Sequence, residues 1–113
     1  MSDCLFCKII AGEIPSAKVY EDDQVYAFRD IHPMAPTHVL VVPRHHIVSM
    51  AAVSEADDAE LAACLRACSA VALQEGLVNG FRVVTNCGPD ACQSVQHLHF
   101  HVLGGKQLSE KMD

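Results

Sequence analysis

The sequence is poor in positive charge and has no long apolar run. Lysine and arginine supply 8 of its 113 residues against 14 aspartates and glutamates, so the net charge is -6 with histidine neutral. This balance argues against binding to nucleic-acid backbones or anionic membranes. No apolar run approaches the roughly 18 residues that cross a bilayer, and the first residues lack the basic start of a signal peptide. We therefore expect a cytoplasmic protein without nucleic-acid or membrane partners.

The chain also lacks repeats, low-complexity tracts and any linker rich in proline, glycine or serine. Half of its residues are hydrophobic (50%), so we expect residues 1–113 to form one domain around its own core. Six cysteines would suit a disulfide scaffold, but without a signal peptide we expect reduced thiols. Cys64 and Cys68 lie one helical turn apart and are expected to pack in the interior.

Apolar periodicity and turn residues predict an α+β fold, in which a five-stranded antiparallel sheet carries one long helix and a short amino-terminal helix. The short helix is predicted at 5–11, and the strands at 17–20, 25–29, 38–42, 81–86 and 97–103. The ten residues between the last two strands are too few for a crossover with its own helix, which favours an antiparallel pair.

The long helix is predicted from its caps and its spacing of apolar residues. Ser54 can cap its start, with Asp57 at the third helical position in a capping-box arrangement, and Gly76 can end it. Its buried face is predicted to hold Leu61, Leu65, Cys68, Ala72 and Leu73.

Histidine alternates with apolar residues in the segment Gln96-His97-Leu98-His99-Phe100-His101-Val102-Leu103. Because successive side chains of a strand point to opposite faces, the three imidazoles are expected on one face, away from the long helix. Spaced roughly 7 Å apart, they could surround a small anion or a metal ion. The alternative is a half-exposed strand that uses histidine as its polar residue, although such a face more often carries threonine, lysine or glutamate.

Cys4 and Cys7 are two residues apart, which suits two thiolates on one zinc ion. The other ligands would come from elsewhere in the chain, and His45, His46 or a histidine of the alternating segment could complete a tetrahedron. A redox pair and two cysteines packed at a helix start are the alternatives. Because such ligands would join the amino terminus to the sheet, we expect the zinc to be structural, with no catalytic water.

A polar loop precedes the histidine segment and brings in amide and hydroxyl groups from Asn86, Gln93 and Ser94. Gly88 and Pro89 predict a tight turn whose free N–H groups could form an anion-binding nest. An ordinary polar hairpin loop is the alternative.

Together these segments resemble the histidine triad family, whose pattern is His-φ-His-φ-His-φ-φ with φ apolar and which residues 97–103 match at every position. The likeness covers most of the chain and is similar to the Hint branch at Ala27-Phe28-Arg29-Asp30-Ile31, Ala35-Pro36-Thr37-His38, Gly88, Gln93-Ser94-Val95 and Leu103-Gly104-Gly105. The resemblance implies a homodimer that binds purine nucleotides such as AMP or GMP. It implies hydrolysis of the bond between a nucleoside monophosphate and an amine or acyl leaving group, including the P–N bond of a phosphoramidate.

The resemblance also assigns catalytic roles. His99 would attack the α-phosphorus and form a nucleotidyl-histidine that water then hydrolyses. His38 would orient the site, while His101 and Ser94 would donate hydrogen bonds to the phosphoryl oxygens. No catalytic metal is expected.

Binding residues follow from the same resemblance. Asp30 would accept hydrogen bonds from the ribose hydroxyls, and Asn86 and Gln93 would lie near the phosphate and leaving group. An apolar slot for the base would be formed by Phe6, Ile9, Phe28 and Ile31, which could equally be core residues. The zinc ligands would be Cys4, Cys7, His46 and His97, with His45 as the rival of His46.

One departure from the Hint pattern concerns the polar loop. Ala91 and Cys92 stand where that branch has glycines, so the local backbone or the fit of the leaving group could differ. Two other functions remain open. One is a non-catalytic nucleotide-binding or zinc-dependent interaction protein, although it would not need His99; the other is a hydrolase whose three histidines hold a catalytic metal.

Overall fold

A five-stranded antiparallel sheet of order β1-β2-β3-β5-β4 organises the computed structural model, which describes residues 3–112. The strands are β1 (Lys18–Glu21), β2 (Val25–Arg29), β3 (Thr37–Pro43), β4 (Phe81–Val84) and β5 (Phe100–Gly104). The helices are α1 (Leu5–Ile10) and α2 (Asp58–Gln74), with short 3-10 helices at Met50–Glu55 and Pro89–Ala91. The predicted α+β fold is confirmed. In the described part of the chain, no helix has the length and apolar character needed to cross a membrane.

The central strand β3 is buried along its whole length because both faces of the sheet are covered. On one face Val39 and Val41 join a core cluster with Cys64, Cys68 and Val71 of α2. On the other face Leu40 and Val42 of β3 pack against α1. They form a second cluster with Phe6, Ile9 and Phe28. The period-2 pattern of β3 therefore places α1 and α2 on opposite sides of the sheet.

The histidine segment follows the same alternation. Leu98, Phe100 and Val102 belong to the cluster beneath α2, so the histidines face the α1 side, as predicted. The segment is shorter as a strand than expected, because β5 begins only at Phe100. The N–H of Leu98 donates to the Ile47 carbonyl at 2.6 Å, outside the sheet ladder, which fixes the preceding residues in an irregular path.

The start of α2 differs from the prediction. Ser54 lies inside the 3-10 helix Met50–Glu55, whose first turn is capped by the Ser49 hydroxyl accepting the Ala51 N–H. Ala56 and Asp57 then take extended backbone conformations, and Asp57 is the residue that precedes the first helical turn. The predicted capping box is therefore wrong, because Ser54 belongs to a separate short helix and does not precede the first turn of α2. The predicted end holds, since Gly76 follows the helix at a φ of +72°.

The buried face of α2 is made of small residues. Cys64, Ala67, Cys68, Val71 and Ala72 are buried, and Cys64, Cys68 and Ala72 were predicted to be. The predicted Leu65 and Leu73 are instead 60% and 83% exposed. Small side chains let the helix axis approach the sheet, and the larger leucines then lie on the outer side. Burial raises the pKa of Cys64 to about 12 and that of Cys68 to about 11, which keeps both core thiols protonated.

Candidate active site and metal centre

A cavity of about 540 Å³ opens between α1, β2 and the loop before β5. Four of its apolar lining residues are those predicted for a base slot: Phe6, Ile9, Phe28 and Ile31. Three of them also belong to the core cluster beneath α1, while Ile31 is 86% exposed at the cavity. The polar lining includes Asp30, Ser94, His99 and His101. The cavity is thus apolar over most of its wall, with a few polar groups gathered at the histidine segment.

His99 has a fixed tautomer. Its Nδ1 lies 2.7 Å from the main-chain oxygen of His97, and because a carbonyl oxygen only accepts, Nδ1 carries the proton. Burial lowers the pKa of His99, so the ring is neutral and its lone pair is on Nε2. The ring lines the cavity and is held edge-on by Phe6, at a centroid distance of 5.0 Å. A neutral imidazole whose single N–H is held by an acceptor, with the other nitrogen unprotonated, is the form that a nucleophile requires.

His38 and His101 form a relay that also decides a tautomer. The main-chain N–H of Met34 donates to Nδ1 of His38 at 3.0 Å, so the proton of the neutral ring is on Nε2. That Nε2–H donates to Nδ1 of His101 at 2.9 Å, which leaves the proton of His101 on its own Nε2. This Nε2 is buried and has no hydrogen-bond partner within residues 3–112. The relay therefore ends in an unused donor on a residue that lines the cavity.

Burial keeps this histidine cluster uncharged at neutral pH. It lowers the pKa of His38, an effect that nearby Asp30 partly opposes. Burial, together with His99 and His38, lowers the pKa of His101 to about 4. Asp30 itself is oriented by the His32 N–H, which donates to Oδ1 at 2.8 Å, while Oδ2 lies 3.4 Å from Nε2 of His38.

Asp30, His38 and His101 also bring three potential metal-ligand atoms within 4.8 Å of one another. A metal ion on Nε2 of His38 would need the ring proton on Nδ1, where the Met34 N–H already points. Two donors would then face each other. The tautomers therefore favour a hydrogen-bond relay at this position over a metal site.

The polar loop before β5 differs from the predicted anion nest. The N–H groups of Gly88, Ala91, Cys92 and Gln93 are all used within the loop, by the Gln93 side chain or by main-chain carbonyls. Gln93 is 9% exposed, and its amide group bonds to Gly88 N–H and to the carbonyls of Val48 and Val95. Neither Gln93 nor Asn86 is among the cavity-lining residues, whereas Ser94 is. Gln93 therefore braces the loop from behind.

Cys92 keeps a glycine-like backbone. Its φ of 58° and ψ of 40° lie in the left-handed region, where a side chain with a Cβ is strained. It is the only non-glycine residue with positive φ in the described chain. The backbone that a glycine would favour is thus retained despite the cysteine.

A second group of ligand atoms lies beside the active site. Cys4, Cys7, His46 and His97 offer four ligand atoms within 4.8 Å of one another. The sulfur–nitrogen distances are 3.3 Å from Cys4 to His97, 3.3 Å from Cys7 to His46 and 3.5 Å from Cys7 to His97. Tetrahedral zinc with ordinary bond lengths would separate such atoms by roughly 3.5 Å. The donor set and its spacing therefore fit zinc.

His97 has the tautomer that this site requires. Its Nε2 donates to the Pro43 carbonyl at 2.8 Å, so Nδ1 carries the lone pair among the thiols. The Nδ1 of His45 lies 3.4 Å from a carboxylate oxygen of Glu60. His46, and not His45, therefore belongs to the group of four ligand residues. Because His97 joins the cysteines while His99 and His101 line the cavity, the three imidazoles do not converge on one metal ion.

The sequence analysis missed two contributors to this region. The Met34 N–H sets the tautomer of His38, but a main-chain donor leaves no signal in residue types. The Thr85 hydroxyl donates to the His99 carbonyl at 2.7 Å, just beyond the end of β4. Threonine is common in strands, so the sequence predicted that β4 continues to residue 86.

The chain is similar to known proteins along most of its length. A family model described as HIT domain matches residues 11–108. The chain is 49% identical over 110 residues to a 14 kDa zinc-binding protein of Zea mays, covering 96% of this chain and 86% of that protein. It is 46% identical over 110 residues to adenylylsulfatase HINT1 of Arabidopsis thaliana, covering 96% and 75%. The crystal structure of a HIT family hydrolase from Legionella pneumophila superposes with a TM-score of 0.92 at 45% identity, covering 96% and 97%.

Proposed function

Because this chain belongs to the HIT domain family, we propose that it hydrolyses purine nucleoside monophosphate derivatives through a covalent intermediate on His99. The substrates would carry an amine, as in a nucleoside phosphoramidate, or an acyl group on the α-phosphate. The observation that carries the proposal is the pair of fixed tautomers, which gives the cavity an unprotonated Nε2 on His99 beside a protonated Nε2 on His101.

In the first step Nε2 of His99 attacks the α-phosphorus, the bond to the leaving group breaks, and the departing group takes the bonding electron pair and, when it is an amine, a proton from solvent. The ring becomes positively charged, and the His97 carbonyl that accepts its Nδ1–H stabilises that charge. The Nε2–H of His101 and the hydroxyl of Ser94 donate to the phosphoryl oxygens. In the second step water attacks phosphorus and releases a proton to solvent, and the bond from phosphorus to Nε2 breaks, so the nucleoside monophosphate leaves and the lone pair of His99 is restored.

Nucleotide binding uses the rest of the cavity. The purine base would lie among Phe6, Ile9, Phe28 and Ile31, whose side chains line the wall. The carboxylate of Asp30 would accept hydrogen bonds from the ribose hydroxyls. Asn86 and Gln93 would act on the leaving-group side from outside the lining, Gln93 by holding the loop that carries Ser94.

Cys4, Cys7, His46 and His97 would hold a structural zinc ion. Their geometry and the name of the Zea mays relative support this assignment. The ion would supply a cross-link between the start of α1 and the segment before β5, and no reaction step uses it.

The chain would act as a homodimer in the cytoplasm. A patch of exposed apolar residues on the outer side of α2 and the edge strand β4 supports dimerisation, and it includes Leu65, Leu73, Val78, Phe81 and Val83. A second copy of the chain would cover these residues.

The test is hydrolysis of an adenosine phosphoramidate by the wild type and by His99→Ala, each with and without a strong chelator. The account predicts hydrolysis by the wild type that survives brief chelation, and loss of hydrolysis in the variant with AMP binding retained. Equal turnover by both proteins would refute the assignment of His99. Binding of AMP without hydrolysis by either would support a non-catalytic nucleotide-binding protein instead.

A further inference from the structure

His97 takes part in both the metal centre and the active site. Its Nδ1 lies among the two thiols, its Nε2–H donates to the Pro43 carbonyl, and its own carbonyl accepts the Nδ1–H of His99. The residue is fully buried, with 0% exposure. One side chain and one peptide unit thus connect the four-ligand cluster to the nitrogen proton of the nucleophile.

The first helix provides a second connection between the two sites. Cys4 precedes α1, where its Sγ accepts the Cys7 N–H, and Phe6 lies between the two cysteines. The Phe6 ring stands at 90° to the His99 ring with centroids 5.0 Å apart, and it also contacts His97 at 6.0 Å. Any ion that holds both cysteines therefore also fixes the aromatic wall against which His99 rests.

His46, the fourth ligand, is also connected to the surroundings of His99. Directly after His46, the carbonyl of Ile47 accepts the Leu98 N–H, and the carbonyl of Val48 accepts the amide of Gln93. These bonds hold the residue next to His99 and the loop that carries Ser94. The ligands thus lie on three separate segments, and each segment contacts groups that position His99.

We propose that metal occupancy of this cluster sets the tautomer and position of His99, with His97 as the positioning residue that transmits it. The proposal rests on the proposed function. Without the ion, only weaker thiol contacts tie the His46 segment to the cysteines, so the Ile47 carbonyl that follows His46 can withdraw from the Leu98 N–H, and the peptide between His97 and Leu98 can then rotate. His99 then loses the acceptor for its Nδ1–H. Its proton can move to Nε2, which leaves the lone pair on Nδ1, and Nε2 then cannot attack phosphorus.

The test compares the zinc-loaded wild type with His46→Ala, because His46 is the exposed ligand and its loss leaves the three less exposed ligands in place. Three quantities are measured: zinc content, the ¹H–¹⁵N signature of the His99 ring tautomer, and the kinetic constants with an adenosine phosphoramidate. We expect the variant to lose zinc, to show Nε2–H on a fraction of His99 rings, and to lose kcat by roughly 10- to 100-fold with little change in KM. Cys7→Ser is a second variant with the same expectation.

Val71→Ala serves as the matched control, because Val71 is a buried residue of α2, on the face of the sheet opposite the metal cluster. It is expected to destabilise the fold while leaving zinc content, tautomer and kcat at wild-type values. The proposal is overturned if zinc-free His46→Ala and Cys7→Ser keep the wild-type tautomer and kcat, or if the wild type binds no zinc. If the wild type binds zinc and nucleotide but does not hydrolyse the substrate, the proposed function fails, and the tautomer signal still decides this proposal.

Discussion

The Nε2–H of His38 donates to Nδ1 of His101 across 2.9 Å, and this bond decides which nitrogen of His101 carries a proton. The direction of the bond is set by the Met34 N–H, which occupies the other nitrogen of His38. A backbone group in a proline-containing loop therefore determines the donor that His101 presents at the cavity. Under the proposed function, the relay gives a histidine on β3 a role in the reaction on β5 and the segment before it.

The relay predicts the effect of replacing His38. In His38→Ala the proton of His101 is free to occupy Nδ1, so its Nε2 no longer donates reliably to the phosphoryl oxygen. We expect kcat for an adenosine phosphoramidate to fall by roughly 10- to 100-fold. His38→Gln is the matched variant, because its amide can still donate to Nδ1 of His101, and it should recover part of the loss. Identical kcat values in the wild type and both variants would rule out the relay.

Cys92 offers a test of stored backbone strain. Replacing it with glycine relieves a left-handed conformation that costs an L-residue about 1–2 kcal/mol, although glycine gains freedom in the unfolded chain. We expect Cys92→Gly to raise the free energy of unfolding by about 0.5 to 1 kcal/mol, measured by urea denaturation. Ala91→Gly, one residue earlier in the same turn, is the control and should not stabilise. A destabilised Cys92→Gly protein would show that the cysteine makes a compensating contact.

The depressed pKa of His101 predicts a loss of stability in acid. Its pKa falls from 6.5 to about 4 on folding, because burial disfavours the charged ring. As the pH falls, the unfolded chain therefore takes up a proton on His101 before the folded chain does. The stability that the neutral buried ring allows is fully present above about pH 6.5 and is lost as the pH falls toward 4. We expect the free energy of unfolding to decline across this window.

The pH measurement uses the Cys7→Ser background, so that release of zinc does not add to the slope. Urea denaturation at a series of pH values is compared with the same background carrying His101→Asn, which cannot titrate there. The decline should be shallower in the second protein. Equal slopes would mean that His101 does not carry the effect.

The apolar patch on α2 and β4 predicts a dimer interface. Val83 lies on the edge strand and is 39% exposed, so a charge there would be buried by a second copy. We expect the wild type to sediment as a dimer and Val83→Glu as a monomer with an unchanged circular dichroism spectrum. Met112→Glu, at a tail position that is 91% exposed, should remain dimeric. A monomeric wild type, or a dimeric Val83→Glu, would place the interface elsewhere or remove it.

The sheet was predictable because the strand segments are alternating or continuously apolar and are bounded by turn residues. The face of the histidines followed from the same alternation. The start of α2 was not predictable, because Ser49, Ser54 and Asp57 are all competent caps and only packing selects among them. The outward position of Leu65 escaped prediction because apolar residues occur all around this helix, and close packing of the small ones decides its rotation.

The candidate site divides in the same way. The spacing of Cys4 and Cys7 indicated a metal centre, but the choice between His45 and His46 depends on which neighbour turns inward, and sequence spacing does not encode that. The position of Gln93 near the phosphate was implied by the family resemblance. Its amide satisfies three main-chain groups of the loop, a demand that becomes visible only when the backbone path is known.

The stereochemical course at phosphorus tests the covalent mechanism most directly. A nucleoside phosphoramidate made chiral at phosphorus by sulfur substitution is hydrolysed in ¹⁸O-labelled water, and the configuration of the product is determined. Attack by His99 followed by attack of water comprises two in-line displacements, each of which inverts the phosphorus. The account predicts overall retention of configuration. Overall inversion would contradict it, because water would then have displaced the leaving group in a single step without a nucleotidyl-histidine.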